Sequence, residues 1–287
     1  MEANLPRVFL ITSLCAAAAC APSLSSMQPA HVAPKGHAQA TVAVEVGVPT
    51  GAVGRIIDTG RTLAAAANDG RRQLTPMEKQ QLFESGVAVA ASPPSFGYHY
   101  AFAYTLLDRW ELNARWAGDG WRLGSRYQLL RHEDGPFDMV VGAGVARSVF
   151  EVPLADYIPV LKVDDFTRWT FDAGAQIGTS RRYFRVWGGP KFHYSRFDMA
   201  MRLELPNAAA PDVATFEGSG KYLSGQAGVA FGYRYVFLAV ELTVSRLWGS
   251  ADLTSMVNAQ GGPDPIARSV DASGYVVFPA FGLIGEF

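Results

Sequence analysis

Residues 96–105 read FGYHYAFAYT. Every second residue is aromatic: Phe96, Tyr98, Tyr100, Phe102 and Tyr104. Between them lie Gly97, His99, Ala101, Ala103 and Thr105, all small or polar. Successive side chains of a strand point to opposite faces, so this stretch reads as a β-strand with one wholly aromatic face. Such a face needs a large apolar surface to cover it. The candidates are the core of a β-sandwich and the hydrocarbon of a bilayer.

The same period of two runs along most of the chain from about residue 40. Trp110, Leu112, Ala114 and Trp116 alternate with Glu111, Asn113 and Arg115. Leu123, Tyr127 and Leu129 alternate with Arg122, Arg126 and Gln128. Trp169, Phe171 and Ile177 alternate with Thr170, Asp172 and Gln176, and Phe184, Val186, Phe192 and Tyr194 with Arg185, Lys191 and His193. Leu238, Val240, Leu242 and Val244 alternate with Ala239, Glu241, Thr243 and Ser245. The strands are longer than the roughly 5 or 6 residues of a soluble strand, and a membrane strand needs about 9 to 11. Aromatics gather near strand ends, as at two membrane interfaces, and the opposite face suits a narrow polar bore. These features favour lipid.

The connections support that choice. Tight ones fall near residues 106–109, 131–136, 179–182 and 233–236, and long ones near 151–163, 197–218 and 249–271. The short turn at residues 117–120 stands where a long one is due. Alternating short and long connections mark outer-membrane barrels. With Thr41 to Val48 as the first strand, the count is about ten, with eight and twelve the neighbouring even numbers. The expected fold is all-β: a transmembrane antiparallel up-and-down β-barrel over residues 40–287, with a helical insertion at about 50–92.

The composition fits a membrane barrel and excludes other classes. Hydrophobic residues make up 49% of the chain and charged residues 18%, below the quarter or so typical of soluble proteins. The net charge is -1 and no basic run exists, which gives no footing for nucleic acid. No apolar segment after residue 20 reaches the roughly 18 residues of a transmembrane helix.

Residues 1–19 read as a secretory signal: Arg7 in a short n-region, then an apolar stretch and small residues. The run Ala17-Ala18-Ala19-Cys20 resembles a bacterial lipobox, which implies cleavage before Cys20 and a diacylglycerol on its thiol. Ordinary signal cleavage nearby is the alternative. Residues 20–39 are rich in Pro, Ala and Ser and read as a flexible, lipidated tether. At the other end, Tyr275, Val277, Phe281, Leu283 and Phe287 share one face. This terminal pattern resembles the β-signal of bacterial outer-membrane proteins, which the barrel-assembly machinery reads. Pro279 departs from it, because proline removes a ladder donor.

Residues 50–92 do not alternate. Gly51 to Ala67 read as a helix stopping at Asn68-Asp69-Gly70. Thr75-Pro76-Met77-Glu78 is a capping box that opens a second helix of about ten residues ending at Gly86. This insertion lids the mouth, folds into the bore as a plug, or packs as a surface loop. If the first strand lies outside the barrel, the insertion is periplasmic.

Parity turns Glu45, Glu111, Arg115, Arg122, Arg126, Asp172, Arg185, Lys191, Arg234, Glu241 and Glu286 inward. In a narrow bore such charges pair or carry a large desolvation cost. The expected role is therefore structural or interactive, in a bore largely filled by ion pairs. A narrow diffusion channel is the alternative, with Arg115, Arg122 and Arg126 favouring anions. The run His193-Tyr194-Ser195 is similar to the His and Ser of outer-membrane lipid A 3-O-deacylases, implying a barrel-borne lipid hydrolase as a further alternative. The remaining histidines lack ligand spacing. The reading is thus of a monomeric, non-enzymatic outer-membrane protein without metal or cofactor. Its partners are membrane lipid and the barrel-assembly machinery, with no nucleic acid.

Overall fold

The computed structural model describes residues 23–68, 75–92, 94–117, 120–133, 135–149, 160–204, 211–257 and 269–287. Their strands form an antiparallel meander: β1 (Ala38–Pro49), β2 (Ser95–Leu107), β3 (Trp110–Ala117), β4 (Gly120–Leu130), β5 (Asp138–Val149), β6 (Leu161–Ser180), β7 (Phe184–Leu203), β8 (Asp212–Tyr233), β9 (Val236–Val257), β10 (Ser269–Asp271) and β11 (Gly274–Glu286). The short β10 and the longer β11 are two pieces of one returning strand, and both pair with β9. Because β11 also pairs with β1, the sheet closes into a ring of ten. Closure removes every free edge, the condition for a sheet to sit in hydrocarbon. No helix among the described residues is long and apolar enough to cross a membrane.

The outward face carries the aromatic strand that opened the sequence: Tyr98, Tyr100, Phe102 and Tyr104 are all exposed. So are Leu123, Phe171, Phe192, Leu223, Leu238 and Phe281 around the ring. This apolar belt is far larger than the patches that monomeric soluble proteins expose. Aromatic girdles bound it on both sides. At the end with the tight turns stand Tyr127, Tyr183, Tyr233, Tyr235 and Phe287, with Tyr183 stacked on Tyr233 at 5.9 Å. At the other level stand Trp116, Trp121, Trp169, Trp248 and Tyr275, and Arg246 lies over both Trp248 and Tyr275. Rings held at headgroup level, with cations beside them, are the interfacial anchors of a transmembrane barrel.

The expected ten strands, their direction and the helical insertion after the first are all present. The long loops are different. Strands β6 to β9 run 20 to 22 residues and continue through much of the stretches read as loops. Their hydrophobic side inverts as they leave the belt. On β7, inward His193 and Ser195 give way to Phe197, Met199, Met201 and Leu203, while outward Phe192 and Tyr194 give way to Arg196 and Asp198. Above the membrane, water lies outside and the apolar side chains must turn inward. A reading keyed to apolar-outward strands therefore stops at the interface. A bulge between Val163 and Asp165 on β6 restores Phe166 to the inner face.

The helices explain what this inner surface packs against. Helix α1 (Thr50–Asn68) leads to α2 (Pro76–Ala91). Thr75 caps α2, and its capping box with Glu78 is complete. The helix does not stop at Gly86. Residues Val87 to Ala91 continue it and are buried, with Val87, Val89, Ala90 and Ala91 in one cluster with Leu82, Phe83, Phe166, Phe197, Met199 and Phe216. Burial of this apolar end outweighs the glycine's poor helix propensity.

Candidate functional site

Among the described residues, buried charge is concentrated in the bore, so it is the candidate site. Its lower half, at the turn end, is occupied by the chain's own residues 23–33. They were expected in a flexible tether, and the structure corrects this. Leu24, Met27, Ala30, Val32 and Ala33 are buried within the ring. The inward polar groups explain the ordering, because they bind the segment's backbone. Glu241 accepts from the Ser26 and Met27 amides at 2.7 and 3.0 Å, from the Ser26 hydroxyl at 3.2 Å and from Trp187 Nε1 at 2.9 Å. Arg126 donates to the carbonyls of Pro29 and His31, and Arg115 to those of Ser23 and Ser25. Lys191 donates to the Leu24 carbonyl at 3.2 Å, and Gln128 accepts from the Val32 amide at 3.1 Å. Glu45 accepts from the hydroxyls of Ser23 and Ser25. An irregular segment is tolerated at membrane depth when protein groups satisfy its backbone in this way.

The upper half holds α2, entering carboxyl end first. Arg168 donates to the carbonyls of Ala90 and Ala91 at 2.6 and 2.9 Å, and Tyr222 donates to Ala91 at 3.1 Å. These are the carbonyls that a helix leaves unpaired, and a guanidinium there also meets the negative end of the helix dipole. The Arg168 guanidinium lies over the rings of Phe166 and Phe197. At the amino end, Lys79 pairs with buried Asp212 at 2.6 Å. The insertion therefore plugs the mouth that sequence alone left open to several readings. The two stoppers nearly meet: Leu24 clusters with Tyr222, Leu247, Val276 and Phe278, directly beneath the Ala91 bond.

Six inward charges form three pairs, while Glu45, Arg115, Lys191 and Glu241 bind the segment. Arg122 forks onto Asp172 with two bonds of 2.7 Å and reaches Asn113 at 2.6 Å. Arg126 meets Glu111 at 2.6 Å. Arg185 pairs with Glu286, which also contacts His31 at 3.0 Å. A planar fork on a carboxylate is the strong geometry for such pairs. Glycines make room for it: a Cβ on Gly144 would lie 2.4 Å from Arg122 Nη2. Arg234 does not join the network. It sits at positive φ in the exposed β8–β9 turn, with its guanidinium over Tyr233. Parity fails there because the turn, not the strand, sets its direction.

Of the hydrolase pair, Ser195 is buried and its hydroxyl faces the Gly220 carbonyl at 3.4 Å. His193 is 2% exposed and neither ring nitrogen has a hydrogen-bond partner, so no bond joins the two side chains. Tyr275, Val277, Phe281 and Leu283 all face away from the bore, and Phe287 is exposed. Cys20 and residues 1–19 lie outside the described residues. Arg168 and Tyr222, which hold α2, escaped the sequence reading. The parity of β6 was already available one residue beyond Trp169, but Tyr222 reads as an ordinary strand aromatic.

No protein-family model and no curated protein matches the chain. Among solved structures, the outer membrane protease OmpT of Escherichia coli is similar at a TM-score of 0.43 and 9% identity, over 91% of this chain and 100% of that one. Ail of Yersinia pestis overlaps at a TM-score of 0.29 and 10% identity, over 88% of this chain and 99% of that one. A major outer membrane protein of Thermus thermophilus overlaps at 0.36 and 11%, over 87% and 99%. The architecture itself, a closed ring with a belt and two girdles, rests on the ladder and on the burial pattern.

Proposed function

We propose that the chain is a sealed, non-enzymatic barrel of the bacterial outer membrane, with a structural or interaction role in the envelope. The observation that carries this reading is the bore, which is filled from one end by residues 23–33 and from the other by α2. Its ion pairs are closed among themselves or spent on backbone groups of the plug. The tight-turn end belongs to the periplasm, as in barrels of this type. The face open to partners is then the head formed by the tall strands β6 to β9 and the two helices. Outward charges there, such as Arg196, Glu217 and Asp252, support a water-exposed surface. The β-signal face supports recognition by the barrel-assembly machinery, and the closed ring needs no second copy to complete it.

Residues 1–19 act as the signal in this reading. The lipobox-like run Ala17-Ala18-Ala19-Cys20 supports a diacylglycerol on Cys20, with ordinary cleavage nearby as the alternative. The mass of the mature protein decides it: a Cys20 without acyl groups overturns this part.

The test of the main reading is conductance of the refolded mature protein in a planar bilayer. Folded protein that passes no current is the expected result. Discrete, reproducible steps would replace the sealed barrel by the narrow channel, and anion selectivity would then be measured in Arg122 and Arg126 variants. Hydrolysis of lipid ester lost in Ser195→Ala would replace it by the hydrolase.

A further inference from the structure

Among the described residues, two cations in the bore, Arg115 and Lys191, have no carboxylate in contact, and they stand around one cavity. Arg115 and Arg122 are directly opposite each other in the β3–β4 ladder. Like charges so placed repel. Arg122 is neutralised by its fork on Asp172, and Arg126 by Glu111. Among the described residues, Arg115 binds the carbonyls of Ser23 and Ser25, and Lys191 that of Leu24. Carbonyl dipoles solvate a cation without cancelling its charge, and an unbalanced buried charge is strongly destabilising.

Between these groups lies a cavity of about 50 Å³, lined by Arg115, Arg122, Lys191, Asn113 and Gln176 and, on its acidic side, by Asp172, whose carboxylate is held by Arg122. That is room for roughly three or four waters, at about 10 to 15 Å³ each on this measure. An organic solute does not fit. Asn113 is 5% exposed; its Oδ1 accepts from Arg122, while its Nδ2 has no partner. This orphaned donor stands beside the two cations, and Gln176 Oε1 is an orphaned acceptor in the same wall. A second cavity of about 30 Å³ adjoins it across Arg115, Arg122 and Asp172, and unpartnered His193 lines it.

We propose that a small inorganic anion, monoatomic or tetrahedral, occupies this cavity, bound by Arg115, Lys191 and the Asn113 amide. The anion gives Arg115 and Lys191 a counter-charge in contact, which Glu45, Asp172 and Glu241, engaged by the segment and by Arg122, do not provide. It holds the ladder pair Arg115–Arg122 and the segment carbonyls in place together. The inference does not depend on the bore being sealed; a conducting barrel would carry the same site.

The experiment measures thermal unfolding of the refolded full-length mature protein at constant ionic strength. Chloride or sulfate is exchanged for a bulky organic sulfonate that cannot enter 50 Å³. The midpoint is expected to rise saturably with chloride or sulfate and not with the sulfonate. Arg115→Gln is expected to abolish the response. Asn113→Asp keeps the oxygen that Arg122 uses and builds the missing negative charge into the wall. It is expected to unfold in sulfonate where the wild type unfolds in saturating chloride or sulfate, with no further response to anion. Lys162→Gln, at an exposed pair with Glu204, serves as control and keeps the wild-type response. Identical wild-type midpoints in all three salts overturn the proposal, as does an undiminished response in Asn113→Asp. That second variant keeps the test decisive should Arg115→Gln fail to fold.

Discussion

Replacing Glu241 with glutamine should loosen the lower plug without touching the wall. Glu241 is 0% exposed, and its two oxygens accept both the Ser26 and Met27 amides and the Ser26 hydroxyl. Glutamine keeps the shape, but one oxygen becomes a donor. One backbone amide of the segment sits on each oxygen and can only donate, so at least one bond is lost outright and the others lose their charge assistance. A hydrogen bond to a charged group contributes about 1.5 to 3 kcal/mol and a neutral one about 0.5 to 1.5 kcal/mol. The segment is thereby weakened by about 3 kcal/mol, which raises the population of its released state on the order of a hundredfold. The bond from Trp187 exists with or without the segment and drops out of this difference. The assay is cleavage within residues 23–33 by a protease of broad specificity, run below the unfolding temperature. Its rate follows the open population when reclosing outpaces cleavage. Outward-facing Val240→Ala should leave the rate unchanged. A folded Glu241→Gln barrel cut no faster than the wild type would refute the assignment of Glu241 as the anchor.

Three further outcomes are expected. Lys79→Met deprives buried Asp212 of its ammonium and should cost about 3 to 5 kcal/mol; hydrogen exchange in α2 reports the loss, and adding Asp212→Leu should recover most of it. Gly144→Val drives Arg122 off Asp172 and should lower stability by about 3 to 5 kcal/mol. Gly225→Val, which meets open space, should be near neutral, and chemical unfolding midpoints compare the two. Deleting Phe287, whose ring is exposed, should cut assembled barrel in cells severalfold yet leave refolding of the purified protein in detergent unchanged; equal loss in both settings would remove its role as a recognition signal.

The barrel itself was legible because bilayer and bore impose opposite polarities on alternate residues. Tyr98 to Tyr104 and Leu238 to Val244 carry that contrast without interruption. It failed where the surroundings change. Met199, Met201 and Phe216 obey the same period of two, but with the apolar side turned inward, so they read as loop until the head is seen. The lumen charges were found by parity, yet their partners were not. Nothing local to Arg168 announces a helix end, and nothing in Ser-Leu-Ser-Ser-Met announces a chain that Glu241 will bind some two hundred residues later. Those pairings are set by ring closure, which brings together residues distant in sequence. Pro279 shows the converse. It interrupts only the β1 side of β11, where the pairs opposite Val46 and Gly47 are missing, and leaves the β9 ladder continuous.

The fold-back of the chain at Gly36 constrains the order of assembly. There the backbone turns at φ +84°, the Gly36 amide bonds to Thr105, and Ala38 exchanges bonds with Phe287. The internal segment therefore ends where the first and last strands meet. With α2 seated in the outer mouth, the segment has one way in, from the turn end. While the β1–β11 seam is open the sheet has an edge, and residues 23–33 are an unpartnered thread beside it. Closing the seam around a thread already in place spares it that axial entry. The two ladder pairs missing at Pro279 put the weakest stretch of that seam at its outer half, so zipping should start from Phe287 and Ala38, next to the point where the thread enters.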